Sequence, residues 1–415
     1  MSHADPPPRR IRIWEPLRFR DFRLVWSGSA VSLFGDQFFT VAVPWVVLAL
    51  THSSMQVGTV MMLSALPRAA LMLLGGAITD RVPPRSITFY SNLLRAVLVG
   101  GLALLVALGA IRIWHIYALA LAFGVVDAFA YPAFQTMLTM LVDSDHLPAA
   151  NSLMQSSSQL GALIGPAAAG VLVAAAGAAP AFAVDSATFF FAAVTLFIMT
   201  GGRGLAGGEP RPPGRSPSLA DDVRQGLRVA WQFPPARGLI LLMAGLSLAT
   251  AGPSTVGLAI LAQQRFGGAT AFGLMLSALG AGALGGALLA GVIRQRRRRG
   301  VTWLAVNAAV GVGLGGLGLA GTVAEAAVLL GFIGLGTGFI GVVFVAWLGT
   351  VTPPALLGRI LSLTMFASVG LTPISYLLAG LVAAAHPALM FAVAGAFVVA
   401  VVGVTAADPS VRAID

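Results

Sequence analysis

"LVWSGSAVSLFGDQFFTVAVPWVVLAL", Leu24 to Leu50, is apolar or small at nearly every position and carries one carboxylate, Asp36, near its middle. A run of this length crosses the ~30 Å hydrocarbon core of a bilayer as a helix, which takes about 20 residues. Lipid offers no partner for backbone N–H and C=O groups, so the segment must pair them internally. Eleven more such runs follow, near 57–79, 86–110, 114–141, 151–176, 180–200, 237–264, 269–293, 301–320, 324–350, 357–384 and 387–406. Short segments that alternate polar and apolar residues, the mark of a membrane β-barrel, are not the pattern here. The reading is an all-α membrane protein with twelve transmembrane helices.

Composition narrows the chemistry. The 415 residues are 57% hydrophobic and 10% charged, whereas a soluble domain carries roughly 25% charged residues. The first apolar run is too long for a secretory signal, and no small-residue cleavage site follows it, so no cleavable leader is expected. The chain has no cysteine, which excludes disulfides, thiolate catalysis and cysteine metal sites. It has no lysine either, which excludes a P-loop ATP site and a Schiff-base cofactor. No Ser/His/Asp or metal-ligand constellation stands out. No enzyme, catalytic residue, metal or cofactor is expected.

The net charge of +10 is carried entirely by arginine. With the amino terminus placed inside, 21 of the 25 arginines fall on one side of the membrane. They lie in the tail from Arg9 to Arg23, at Arg81 and Arg85, between Arg203 and Arg237, in the run "RQRRRR" from Arg294 to Arg299, and at Arg359 and Arg412. This bias places both termini in the cytoplasm of a cell with an inner membrane. It also accounts for the basic run as a topology anchor against anionic lipid, with no nucleic acid as partner.

The organisation is six spans, a break, and six spans. Residues 1–23 read as an amphipathic cytoplasmic tail, with Trp14, Phe19 and Phe22 among the arginines. Residues 24–200 form the first bundle, 201–236 a Gly/Pro-rich cytoplasmic linker ending in an amphipathic stretch, 237–406 the second bundle and 407–415 a short tail. The bundles look related: "GGAITDRVPPR" (Gly75 to Arg85) closes the second span, and "GGALLAGVIRQRRRR" (Gly285 to Arg299) closes the second span of the later half. A six-plus-six repeat with a path between the halves is a transporter architecture.

Two motifs give the repeat a family. "GGAITDR" resembles the loop between spans two and three of the major facilitator superfamily, with Gly76, Asp80, Arg81 and Arg85 at matching positions and Pro83 and Pro84 as departures. "GALIGPAAAG" resembles the antiporter motif of the drug:proton branch through Gly161, Gly165, Pro166 and Gly170. "FGDQFFTVAVPW", "DAFAYPAFQTML", "FAVDSATFF" and "LLGRILSL" are similar to the exporters that include macrolide-efflux and enterobactin-export proteins. The resemblance implies the major facilitator fold, two pseudo-symmetric six-helix halves. It also implies a conformational latch of Gly76, Asp80, Arg81 and Arg85 against the eleventh span, where Arg359 lies. The arginine that many drug antiporters carry in span four is missing.

Asp36 then acquires a purpose. A carboxylate at a helix centre costs about 2.5–3.5 kcal/mol on insertion scales, so it should face a wet cavity or a partner. Ser29, Ser32, Asp36 and Thr40 recur at three or four residues and share one face. Asp36, Arg68 in span two and Asp127 in span four stand at similar depth, and one base cannot neutralise two acids. Asp36, Asp127 and Arg68 are therefore the proton-coupling candidates. Asp185 reads as structural, and Arg95 as a base near the inner end of span three. Gln37, Phe38, Thr40, Tyr131 and Gln135, beside the polar stripe and in span four, are the candidate cavity lining. The expected function is secondary efflux of amphipathic, drug-like small molecules by proton antiport and alternating access. Its partners are the cargo, protons and membrane lipids, and the unit is a monomer. Two alternatives stand beside it: a dedicated exporter of a siderophore or metabolite, and a non-transporting receptor.

Overall fold

The computed structural model describes residues 12–79, 82–200, 234–293, 299–351 and 354–407. The described residues are helical almost throughout. The first half comprises α1 (Arg20–Thr51), α2 (Ser54–Thr79), α3 (Pro84–Ala107), α4 (Ile113–Leu141), α5 (Leu147–Ala176) and α6 (Ala178–Ile198). The second comprises α7 (Pro234–Gly252), α8 (Leu258–Arg265), α9 (Ala269–Val292), α10 (Arg299–Gly316), α11 (Val323–Val351), α12 (Pro354–Ala385) and α13 (Pro387–Ala407). Eleven described segments are long and apolar enough to cross a membrane, and α2, with 26 residues, packs among them.

α7 and α8 form one span joined by a π-turn, Pro253–Gly257. The cause is visible in the hydrogen bonds. The Gly252 N–H donates to Ser375 Oγ at 2.7 Å, and that hydroxyl donates to the Leu248 carbonyl at 2.6 Å. A side chain from α12 thus sits inside the helical ladder of α7, which is one of the recognised causes of local helix distortion.

Each half uses the same set of neighbours. In the first, α2 lies on α4, α3 on α6 and α4, and α1 on α5 and α6. In the second, α9 lies on α11, α10 on α13 and α11, and the α7–α8 span on α12 and α13. The halves meet through two crossed pairs, α2 with α12 and α5 with α9. Apolar attraction does not drive helices together in lipid, so close contact relies on small residues. A Cβ on Gly58 of α2 would lie 2.6 Å from the Tyr376 carbonyl of α12, and one on Gly273 of α9 would lie 2.1 Å from the Pro166 carbonyl of α5.

Among the described residues, the closest of these crossed contacts lie toward one end. Call the end joined by residues 201–233 the linker end, and the opposite one the far end. Gly58 against Gly380, and Gly170 against Ala269, bring the halves into close contact near the far end. Along α5 the contact continues to Ala162 against Gly280. Nearer the linker end, Asn151, Ser152, Gln155 and Ser156 of α5 are exposed.

Candidate functional site

α1 presents Ser29, Ser32, Asp36 and Thr40 on one face because 3.6 residues make a turn, and all four line a cavity of about 710 Å³. The cavity runs from Val60 and Tyr376 toward the far end to Val25, Thr88, Met137 and Met154 toward the linker end. Among the described residues, its walls belong almost entirely to the first half. The second half adds Thr255, Val369 and Tyr376. Apolar surface dominates, with Phe39 stacked on Phe123 at 4.9 Å between ring centroids.

Four charged side chains line this space: Asp36, Arg68, Arg95 and Asp127. At ~1.5 Å of rise per residue, each stands about 18–22 Å from the far end of its helix. Arg95 donates to Asp127 Oδ1 as a direct ion pair, and its guanidinium lies 5.5 Å from the ring centroid of Phe189. This corrects the reading of Arg95 as an inner-end base. α3 begins at Pro84 and ends at Ala107, which puts Arg95 at mid-helix, and the helix turns it inward. The base against Asp127 is therefore Arg95, whereas Arg68 makes no ion pair and has a buried Nε with no hydrogen-bond partner among the described residues.

Asp185 also moves into the picture. It is 0% exposed, and neither carboxylate oxygen has a hydrogen-bond partner. The neighbouring Thr188 hydroxyl donates instead to the Asp185 backbone carbonyl at 2.7 Å. Asp185 lies within Coulombic reach of Asp36 and Arg95, as Asp36 does of Arg95 and Asp127. Glycine makes this possible. A Cβ on Gly35 would sit 2.0 Å from Thr188 Oγ1, and one on Gly28 2.3 Å from Thr195 Oγ1, so α1 and α6 touch through two glycines seven residues apart. The acid excess read from Asp36, Asp127 and Arg68 alone becomes three acids and one paired base, with Arg68 standing apart. The sequence signal for Asp185 and Arg95 was simply a charge inside an apolar run.

The other predicted site residues distribute as follows. Thr40 and Tyr131 line the cavity, and Thr40 Oγ1 donates to the Asp36 carbonyl at 2.8 Å. Gln37, Phe38 and Gln135 lie outside the lining. The Gln37 side chain packs on Gly165 of α5. Phe38 is buried edge-to-face against Phe34, and Gln135 is exposed and donates to the Tyr131 hydroxyl at 3.3 Å. Gln37 lies about 100° and Phe38 about 200° around the helix from Asp36, which turns Gln37 toward α5 and Phe38 away from the cavity.

Gly161, Gly165, Pro166 and Gly170 form a two-sided bearing on α5. Gly161 and Gly165 meet α1 at Leu33 and Gln37, while Pro166 and Gly170 meet α9 at Gly273 and Ala269. The Ala167 N–H donates across the halves to Ser277 Oγ at 3.0 Å. Of the latch residues, Gly76 falls in α2, and Asp80, Arg81 and the Arg359 side chain lie outside the described residues. Arg85 is engaged within its own half: its guanidinium donates to the carbonyls of Leu196 (3.1 and 2.9 Å) and Phe197 (3.1 Å) at the end of α6. Terminal carbonyls carry the negative end of the helix dipole, so a cation is stabilised there.

The arrangement offers a cavity at mid-bundle, carboxylates and arginines on its wall, and close glycine contacts between the halves. Known proteins share its outline. The profile of the transmembrane secretion effector family, a major facilitator family, matches residues 11–415. The multidrug efflux pump Tap of Mycolicibacterium fortuitum is 26% identical over 83% of this chain and 85% of its own. The enterobactin exporter EntS of Citrobacter koseri is 27% identical over 82% and 79%. Among solved structures, a bacterial homologue of the iron transporter ferroportin, in an inward-facing state, superposes with a TM-score of 0.70 at 19% identity, covering 94% of this chain and 98% of its own. A bacterial homologue of the human lysosomal transporter Spinster, inward-facing and unoccupied, gives 0.69 at 14% identity, covering 96% and 98%.

Proposed function

Because this chain belongs to the transmembrane secretion effector family of the major facilitator superfamily, a family of membrane transporters and not of enzymes, we propose that it exports amphipathic small molecules by proton antiport. The observation that carries this reading is Asp36, half-buried in an otherwise largely apolar cavity beside the Arg95–Asp127 pair. Cargo enters from the linker end, which the arginine bias assigns to the cytoplasm. The α2–α12 and α5–α9 contacts then part at the far end while the linker ends close. A proton arriving from the far side binds an Asp36 oxygen and cancels its charge. Cargo leaves, the halves rock back, and the proton is released into the cytoplasm. Asp127, held by Arg95, sets the field in which Asp36 works, and Asp80, Arg81 and Arg359 form the closing latch.

The multidrug pump and the enterobactin exporter among its relatives both move small molecules out. They support export, and they leave two cargo ranges. A broad exporter binds many amphipathic molecules weakly, and a dedicated siderophore or metabolite exporter binds one tightly.

A ligand panel on purified protein at several pH values identifies a cargo and separates these ranges. Proteoliposomes with and without an imposed pH gradient then test coupling. Asp36→Asn should retain binding and lose uphill efflux. A mutant that concentrates cargo as well as wild type removes Asp36 from the coupling path, and the same result with Asp127→Asn ends the proton reading for this pair. Orientation is tested separately. A cysteine at Ser216 should resist an impermeant thiol reagent in right-side-out vesicles under conditions that label one at Ser53, and equal labelling reverses the topology.

A further inference from the structure

We propose that Arg68 anchors an acidic head group on the cargo, so that the cavity selects amphipathic organic anions: a carboxylate or similar acid on an aromatic or otherwise apolar body. This rests on the export reading above and assigns it a substrate class.

The argument begins with charge accounting. Of the four charged side chains on the cavity wall, Arg95 and Asp127 satisfy each other. Asp36 lies in the field of that pair, and the charges acting on it are Arg95, Asp127 and, behind the wall, Asp185. Arg68 is the exception. Among the described residues it has no ion pair, no hydrogen bond and no aromatic ring beneath it, and its Nε is buried. A buried donor left without an acceptor is costly. Only Nε is fully buried and the rest of the side chain is part-exposed on the cavity wall, so the unpaired guanidinium marks a place where an acceptor can arrive from outside the protein.

Packing explains why Arg68 points where it does. A Cβ on Gly124 of α4 would meet the Ser64 carbonyl at 2.3 Å and Pro67 Cδ at 3.1 Å, so α2 lies directly on α4 at that level. Pro67 occupies the contact, and the next residue is turned toward the cavity together with Ser64 and Met61, one and two turns earlier. Among the described residues the second half answers with Thr255, Val369 and Tyr376, none of them an acid.

The surroundings suit an anion with an apolar body. Guanidinium presents a planar fork of N–H donors that matches a carboxylate in two parallel hydrogen bonds. Tyr131 accepts from Gln135 at its hydroxyl oxygen, which leaves its O–H to donate to a cargo oxygen. The stacked Phe39 and Phe123 rings form a flat apolar wall. An organic cation on Asp36 is the competing occupant, but Arg95 already supplies Asp36 with positive charge, whereas among the described residues no carboxylate pairs directly with Arg68. If the linker end is cytoplasmic, an interior-negative membrane potential also drives a bound anion outward.

The test uses three naphthalene probes of similar size: 2-naphthoxyacetate, its neutral amide and the matching trimethylammonium ether. Equilibrium dialysis against full-length protein in nanodiscs, with empty nanodiscs subtracted, gives their affinities. Wild type should bind the carboxylate roughly tenfold or more tighter than the amide, as charge-assisted pairing predicts. Arg68→Gln should remove that preference while leaving amide binding intact, which also certifies the fold, and Arg68→Lys should keep part of it. Wild-type binding no tighter for the carboxylate than for the amide, binding of neither included, overturns the proposal. So does a preference that survives Arg68→Gln, or a preference for the cation that Asp36→Asn removes. The dialysis needs no gradient. A protein that binds the carboxylate through Arg68 yet fails to pump refutes proton-driven export and spares the anchor, and one that pumps without Arg68-dependent preference does the reverse.

Discussion

The two halves share one plan of helix contacts and divide the labour. In the first, Asp36, Arg68, Arg95, Asp127 and Asp185 bring charge to the middle of the bundle. In the second, no described charged residue stands at that level, a buried polar side chain there being Asn307, which donates to the Trp303 carbonyl at 2.8 Å, and α9 and α11 pack backbone on backbone. A Cβ on Gly282, Gly286 or Gly338 would lie 2.0 Å from a facing carbonyl oxygen, and one on Gly334 2.2 Å. The same topology thus supports a half that carries charge around a cavity and one that brings two helix backbones into contact. A duplicated fold preserves contacts between helices, while chemistry follows single residues on the inward faces.

The largest effect should come from the packed half. Gly286→Leu forces a side chain into the Leu335 carbonyl and should cost ~3 kcal/mol or more, enough to lose folded protein on extraction. Gly285→Leu, one residue away with nothing within 4 Å, should leave the melting temperature of the purified protein within error. Equal melting temperatures for the two would end the claim that backbone contact organises the second half.

In the charged half, Arg95→Gln strands Asp127. Removing one partner of a fully buried pair costs about 3–5 kcal/mol, and these side chains are 17% and 31% exposed, so a loss of about 1–3 kcal/mol is expected. Adding Asp127→Asn should restore most of it. A double mutant no more stable than Arg95→Gln alone would show that the pair carries no coupling.

The smallest effect tests the α7–α12 contact. Ser375→Ala leaves the Gly252 N–H and Leu248 carbonyl facing each other without their bridge. Hydrogen bonds between membrane helices average about 0.6 kcal/mol and reach about 1.7, so a loss of about 1 kcal/mol is expected. Thermal unfolding in detergent reads it directly. A stabilised mutant would mean that the ladder closes unaided and the π-turn has another cause.

Much of this was legible in the sequence because the membrane imposes a length and a polarity on every span. The Ser29–Ser32–Asp36–Thr40 face was readable because helical period converts spacing into direction. Gln37 and Phe38 were misplaced as lining for a related reason: proximity along the chain suggested a shared cavity, but one and two residues of rotation from Asp36 turn them off its face. Arg95 was misread because an apolar run does not show which way a side chain on it points: α3 holds it at mid-helix and turns it onto Asp127.

By itself, then, the sequence determined the membrane class, the twelve spans and the polar face of α1, since these follow from local hydrophobicity and helical geometry. Tertiary structure alone decided that Asp127 belongs to Arg95, that Asp185 joins the cluster through the Gly35–Thr188 contact, and that Arg68 stands unpaired. Those outcomes depend on how each helix is rotated about its axis against its neighbours. Close packing sets that rotation, and no single span encodes it.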